Sequence, residues 1–393
     1  MKFIHVGDTH LGKNEGKIEK RVLDFYNAFK QVVDFAIEKN VDFVIHSGDL
    51  FDKARPSVKT IVFAIKQLER LKQRNIPFLI VPGSHDIGVG ETILSVLEEV
   101  GLLKNLASSK YISVENNKIV LSGENIKDCF ICGLPGKRAR IEEVYKNLKI
   151  NGGGKYKIFV FHHTISKISE KFSDIPTSLL PKGFDYYAGG HWHGFFKTNY
   201  DNGIIVYPGS TEYCDLDEME RDKNKYFCLV ELNDDVKIKN IPIKTRAIVI
   251  KEITCNNIDA VDVANLCINS VDEIKENAIL IFKLKGRLSK GTKSEINREK
   301  ILNWAKEKGF LITKIYMGEL ENPETPFVSV KFKTPSEIED EYLKKLNYNE
   351  EEVKLAKDII RILGKSFTPK EYEVAKKQTI DLIEGVFLAD KKN

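Results

Sequence analysis

Every one of the eight histidines of this 393-residue chain lies at or before residue 193. Six of them fall in short patterns that pair donors for a metal: Asp8-Thr9-His10, His85-Asp86, His162-His163 and His191-Trp192-His193, and Gly48-Asp49 adds a carboxylate. A single Asp-x-His is a weak signal, whereas a series of such pieces in this order is a strong one. The asymmetry places a metal site in the first half and gives the second half a task other than chemistry. Imidazole and carboxylate donors without thiolates suit manganese, iron or zinc rather than copper(I). Two carboxylates with four or more histidines exceed the needs of one ion, but two ions bridged by one carboxylate use them all. Two-metal sites hold their ions about 3.5–4 Å apart and serve in-line displacement at phosphorus.

Such donors must be aimed by rigid elements, and apolar periodicity predicts them. Strands are expected at 3–7, 41–47, 77–82, 119–121, 130–133, 158–161, 186–188, 204–207 and 226–232, and helices at 21–39, 58–74 and 92–100. Each ligand pattern directly follows a strand. The two-residue spacing of Asp8 and His10, repeated by His191 and His193, lets both side chains of a pair point to one side. The early alternation implies a layered α/β domain, and the later strand-rich part a mixed sheet.

From about Arg246 the texture changes. A βαβαβ run is expected: strands at 247–253, 278–284 and 311–316, helices at 258–271 and 295–308. The basic stretch 283–293 holds Lys283, Lys285, Arg287, Lys290 and Lys293 around two glycines. It reads plainly as a solvated loop, or more sharply as a contact to phosphate backbone. From Thr334 the chain is helical. Thr334-Pro335-Ser336-Glu337 and Thr368-Pro369-Lys370-Glu371 are capping boxes, and Asn349 is a candidate cap. Val353, Ala356, Ile360 and Leu363 form one apolar stripe, and Tyr372, Ala375, Leu382 and Val386 another. Each can pack on the body or receive a partner's helix. The domains expected are 1–245, 246–333 and 334–393.

At this length two or three domains are expected. Net charge is only +4, so nucleic-acid binding needs a local basic face. Abundant lysine and glutamate with scarce glutamine lean toward a thermophile. The six cysteines read as reduced thiols, and Cys129-Phe130-Ile131-Cys132 as core packing. With no signal segment before Asp8 and no apolar run near about 18 residues, the expected setting is cytoplasmic, away from membranes.

The pieces resemble the calcineurin-like metallophosphoesterase superfamily, whose series Asp-x-His, Gly-Asp, Gly-Asn-His-Asp/Glu, His and Gly-His-x-His stands here as Asp8-Thr9-His10, Gly48-Asp49, Gly83-Ser84-His85-Asp86, His162 and Gly190-His191-Trp192-His193. The contexts Lys2–His5 through Gly12, Gly48-Asp49-Leu50-Phe51 with Arg55-Pro56-Ser57, and Tyr207-Pro208-Gly209-Ser210-Thr211-Glu212 are similar to the SbcD-type double-strand-break repair nucleases. The motifs cover about the first 215 residues, and the later parts match in architecture only. The resemblance implies a β-sandwich flanked by helices, a small α/β cap and a helical tail. It implies one manganese held by Asp8, His10, Asp49 and His193, and a second held by Asp49, the residue at position 84, His162 and His191. His85 would contact the phosphate, stabilising the transition state or protonating the leaving group, with Asp86 orienting it. His163 would lie behind the ligands, and His5 and His46 read as structural.

The family further implies a homodimer, for which Ile61, Ile65, Leu68, Val96, Leu97 and Val100 are candidate surface, although core packing explains them equally well, and an SMC-like ABC ATPase of the SbcC type bound by the C-terminal helices. Ser84 departs from the family's asparagine: a serine hydroxyl is shorter and a poorer ligand, so looser binding of the second ion is expected. Arg55, Lys285 and Arg287 are candidate DNA contacts. The leading expectation is a manganese-dependent exonuclease and endonuclease acting on double-stranded ends and single strands. A small-molecule phosphodiesterase or phosphatase of the same superfamily and a non-catalytic DNA-end scaffold are the alternatives.

Overall fold

A computed structural model describes residues 1–14, 18–88, 92–136, 139–233, 235–323, 343, 349–363 and 372–381. The chain divides into two compact units. One comprises Met1–Ile250, Lys275–Leu280 and Gly309–Ile312; the other Lys251–Ile274, Ile281–Lys308 and Thr313–Asn393.

In chain order the first unit's strands are β1 (Lys2–Val6), β2 (Phe43–His46), β3 (Phe78–Ile80), β4 (Lys104–Asn105), β5 (Ile112–Glu115), β6 (Lys118–Leu121), β7 (Glu124–Ile126), β8 (Cys129–Leu134), β9 (Leu148–Ile150), β10 (Tyr156–Phe161), β11 (Tyr186–Gly189), β12 (Phe196–Tyr200), β13 (Gly203–Tyr207), β14 (Lys225–Leu232) and β15 (Val236–Ile243). Two six-stranded sheets run β15-β14-β1-β2-β3-β4 and β12-β13-β11-β10-β8-β7, and β5-β6-β9 form a small third. Each large sheet has four parallel strands, flanked by antiparallel ones.

The side-chain alternation of β1 explains the layering. Phe3 joins Phe43, Ile45, Ile131, Ile158, Val160, Tyr186 and Val206 in the core between the sheets. Ile4 and Val6 face the opposite way, against α1 (Glu19–Lys39), α2 (Val58–Lys72) and α3 (Ile93–Glu99). A third core under the other sheet gathers Phe159, Phe161, Tyr187 and Tyr207 with Ile141 and Tyr145 of α4 (Ile141–Lys146). The parallel strands therefore end together, and their carboxyl ends release Asp8, Asp49, Ser84, His162 and His191. Loops leaving such ends are free to converge while the sheets fix their roots.

The expected strands and helices of this half are present with shifted ends. The sequence reading missed β12 and β15, two edge strands with polar alternation, and strands too short for a periodic signal. Leu68 and Leu97, named as dimer surface, are instead fully buried in the helix-side core. Val58, Val62, Val96 and Val100 are exposed on these helices, and Ile61 and Ile65 are half-buried.

Further along, β16 (Ile248–Thr254), β17 (Ile279–Arg287) and β18 (Ile312–Glu321) form a sheet in that order, most of its residues in the second unit, and α6 (Val263–Asn269) and α7 (Arg298–Glu307) complete the βαβαβ run. The basic stretch is a loop only from Leu288: Lys283, Lys285 and Arg287 lie on β17, where the apolar alternation of Leu280, Phe282 and Leu284 continues the strand. A helix, here α8 (Glu350–Leu363, following α5, Leu216–Arg221), is capped as expected by Asn349: its Oδ1 accepts from Glu352 N at 2.9 Å, and Glu352 Oε2 accepts from Asn349 N at 2.7 Å. Residues 372–381 are also helical. The boxes at 334–337 and 368–371, and Leu382 and Val386, lie outside the described residues. Among the described residues no helix is long and apolar enough to cross a membrane.

Candidate metal centre

Asp49 stands at the middle of the site. Its carboxylate belongs to two donor groups whose atoms lie within 4.8 Å of one another: Asp8, His10 and Asp49, and Asp49, His162 and His191. His193 Nε2 adds to the first group, 3.2 Å from His10 Nε2 and 3.7 Å from Asp8 Oδ1. Ser84 adds to the second only indirectly, its hydroxyl donating to Asp49 Oδ2 at 3.4 Å.

The backbone is held in unusual conformations to achieve this. Asp8, His10, Asp49 and His191 have φ of 51°, 41°, 56° and 83°, the left-handed region that non-glycine residues rarely occupy. Hydrogen bonds between the loops fix them: Asp8 N donates to Gly48 O at 2.9 Å and His10 N to Asp49 O at 3.0 Å. Gly48, at φ 102°, has no room for a side chain, because a Cβ there would meet His162 Nδ1 at 2.3 Å.

The donor faces point at one another. His162 Nδ1 donates to Ser47 O at 2.8 Å, which leaves Nε2 as an acceptor facing Asp49 Oδ2 at 3.2 Å. That Nε2 is buried with no hydrogen-bond partner, and so is His10 Nδ1. His193 Nδ1 lies 2.5 Å from Glu218 Oε1, so its Nε2 likewise presents a lone pair toward His10. Acceptors facing each other at such distances require a cation between them, either a proton or a metal. The residues therefore fit the divalent ions that their chemistry implies.

The electrostatics agree. Burial pushes His162 down, but Asp49 and Asp8 outweigh it and hold the imidazole up at about 9. Burial raises Asp49, yet His162, His10 and the His85 N–H hold its carboxyl well below the ordinary range. Burial dominates at Asp8 and raises it. His5 and His46 are pushed down to about 3 by burial and stay neutral. His5 bonds Tyr186 Oη at 2.9 Å and Ser47 Oγ at 3.1 Å, and His46 Nε2 bonds Thr9 Oγ1 at 3.0 Å.

His85 is exposed beside the centre, its ring edge-on to His10 with centroids 4.8 Å apart. Its Nδ1 donates to Asp52 O at 2.8 Å, which leaves Nε2 for solvent or substrate. The orienting role expected of Asp86 is thereby corrected. Asp86 is buried and accepts from Leu50, Phe51 and Gly83 N–H at 2.9–3.1 Å, bracing the Asp49 loop from behind. Burial, then Asp49, raises it to about 7 against those three donors. Adjacent residues in a loop point apart, and the sequence cannot say which carbonyl a ring will meet. His163 packs on Tyr145, with Nδ1 3.3 Å from its hydroxyl. Arg55 is exposed on the loop after Asp52 and lines a cavity of about 600 Å³ with Lys53, Lys59 and Tyr26.

Sequence reasoning missed Asp52, Asp174, Cys214 and Glu218. Asp52 Oδ1 lies 3.6 Å from His10 Nδ1, and Asp174 Oδ2 3.6 Å from His191 Nε2. Glu218 takes Lys225 Nζ at 2.6 Å and Ser210 Oγ at 2.8 Å on its second oxygen. The 207–212 motif thus gains a physical meaning. Ser210 N donates to His193 O at 3.0 Å, and Glu212 pairs with the fully buried Arg21 at 3.3 Å. Lys285 and Arg287, in the second unit, pair with Glu252 at 2.6 Å and Glu321 at 2.8 Å.

Residues 1–195 match the calcineurin-like phosphoesterase family. Over 92% of its length the chain is 30% identical to the DNA double-strand break repair protein Mre11 of Sulfolobus acidocaldarius, covering 94% of that protein. It is 29% identical to the Mre11 of Sulfurisphaera tokodaii across 99% of that protein, and 32% identical to that of Methanococcus maripaludis, of which the match spans 66%. With five strand-end motifs converging on a shared Asp49 and this similarity running nearly end to end, the chain belongs to the Mre11 (SbcD-type) family of calcineurin-like phosphoesterases.

Proposed function

We propose that this protein is a manganese-dependent DNA nuclease that hydrolyses phosphodiester bonds at double-strand breaks, with exonuclease and endonuclease action. The observation that carries the reading is the carboxylate of Asp49, common to two donor groups. Asp8, His10, Asp49 and His193 would hold one ion, and Asp49, His162 and His191 the other, with Ser84 leaving a coordination position to water. Two such ions supply a water made nucleophilic at neutral pH and screen the phosphate's charge. The chain's own residues do the rest. Asp52 O fixes the His85 ring so that Nε2 can meet a phosphate oxygen or the leaving group. Asp86 holds the Asp49 loop rigid, and Glu218 fixes the His193 tautomer. Arg55, beside Asp52, and Lys285 and Arg287 on β17 would bind DNA phosphates, exchanging carboxylate partners for phosphate where they have them.

We further propose that half-buried Ile61 and Ile65 of α2, with exposed Val96 of α3 and Val100 at its end, serve a homodimer, and that the helices beyond residue 334, with half-buried Val353 and Ala356 and exposed Ile360 on α8, dock an SMC-like ABC ATPase of the SbcC type. Three functional regions, 1–245, 246–333 and 334–393, and a cytoplasmic setting accompany this reading. The test is manganese-dependent cleavage of linear duplex and single-stranded DNA by the parent and by His85→Ala. Cleavage by the parent and its loss in the variant is the expected result. Hydrolysis of bis-p-nitrophenyl phosphate without cleavage of any DNA refutes the nuclease reading.

A further inference from the structure

Among the described residues a further donor group adjoins those around Asp49, and it includes the Cys214 thiol, which otherwise donates only weakly, to Glu212 O at 3.6 Å. Donor atoms of His10, His193 and Cys214 lie within 4.8 Å of one another. Cys214 is half-buried, whereas the other five cysteines are buried in cores. Its backbone N–H donates to Glu218 Oε2 at 3.1 Å, the carboxylate whose other oxygen holds His193, so thiol and imidazole are placed by one anchor. His10 is 1% exposed, and its Nε2 lies 3.2 Å from His193 Nε2, an independent mark of two lone pairs that need a cation between them at this end of the centre.

We propose that Cys214 is a further donor to the ion held by His10 and His193, and that it widens this position's preference for a thiophilic divalent cation such as zinc, cobalt or cadmium over manganese. The inference rests on the metal-centre reading above and goes beyond it by assigning the ion's selectivity to one residue. Soft thiolates favour zinc and related ions, whereas manganese favours carboxylate and water. On coordination a sulfur–metal bond forms, the S–H bond breaks and its proton passes to solvent; no electron is transferred. Manganese would sit on Asp8, His10, Asp49 and His193 and leave the thiol protonated. Zinc would recruit the thiol and be held more tightly.

The test is cobalt titration of the metal-stripped full chain, read by absorption. The parent is expected to give both visible ligand-field bands and a near-ultraviolet thiolate-to-cobalt charge-transfer band. Cys214→Ser and Cys214→Ala should keep the former and lose the latter. In competition, zinc-over-manganese selectivity should fall about tenfold or more in both variants. Ligand-field bands without charge transfer in the parent, or charge transfer that survives in Cys214→Ser, overturns the inference and leaves the metal centre standing. No cobalt bands at all overturns the metal-centre reading and this inference with it.

Discussion

Replacing Glu218 with glutamine separates two jobs of one carboxylate. Oε1 holds His193 Nδ1 at 2.5 Å, while Oε2 takes Lys225 Nζ at 2.6 Å and Ser210 Oγ at 2.8 Å. Burial would raise this group, but His193 and Lys225 hold it well below the ordinary range, so it is a carboxylate in use. Lys225 is 2% exposed, and its other partner, Asp222 Oδ2, stays at 2.9 Å. Stripping a buried charge of its only partner costs about 3–5 kcal/mol; with Asp222 retained we expect about 1–3 kcal/mol. Loss of the group behind a metal-binding histidine typically lowers affinity about 10–100-fold. Urea unfolding reads the first quantity, and calorimetric titration of manganese into metal-stripped protein reads the second. The pair Glu218→Gln with Lys225→Met should recover stability and leave affinity low. Manganese affinity within about twofold of the parent in Glu218→Gln refutes the idea that His193 is oriented through this contact.

Ser84→Asn should tighten the second ion about tenfold, taking an added oxygen donor as worth at least a hydrogen bond to a charged group, about 1.5 kcal/mol; a two-site manganese titration with unchanged weaker affinity discards this. In the metal-free protein burial lowers His162, but Asp49 and Asp8 outweigh it and hold the imidazole at about 9 against an ordinary 6.5. The folded value is the higher, so this pair's stabilisation is complete below pH 6.5 and is lost as pH rises through about 9. Metal-free melting temperature should fall across that window, and manganese binding at pH 7.5 should release a proton, seen as buffer-dependent binding heats; identical heats in all buffers contradict it. Lys285→Ala with Arg287→Ala should weaken DNA binding across all sequences and flatten its salt dependence, and an unchanged salt slope removes these residues from the interface.

The donors of the centre were legible because they are rare residue types at two-residue spacing after apolar runs, where sequence distance and spatial distance coincide. His10 and His193 are 183 positions apart yet face each other, and only the common end of parallel strands made that readable. Glu218 lay beyond such reasoning: one carboxylate among 57 acidic residues, on a short helix, meeting a histidine 25 positions earlier. Cys214 and Asp174 sit on loops whose paths no periodicity describes. The strand β15 has only Val236 and Ile238 at alternate positions before Asn240 breaks the pattern, and Pro242 is tolerated on an edge. Lys283 and Lys285 at alternate positions of β17 look the same in sequence as lysines of a loop, because only the partner strands distinguish the two.

The left-handed backbone at Asp8, His10, Asp49 and His191 bears on laboratory evolution of this protein. Each such residue stores strain of order 1–3 kcal/mol, and Asp8 and Asp49 add mutual repulsion between buried carboxylates. A library sorted for heat resistance alone, with chelator present, should therefore enrich glycine or asparagine at position 8, where burial and Asp49 already raise the carboxyl, while Asp49 is kept by its pairing with His162. Selection for robustness would erode the centre first, and thermal tolerance and ion capture would trade against each other at the same few residues.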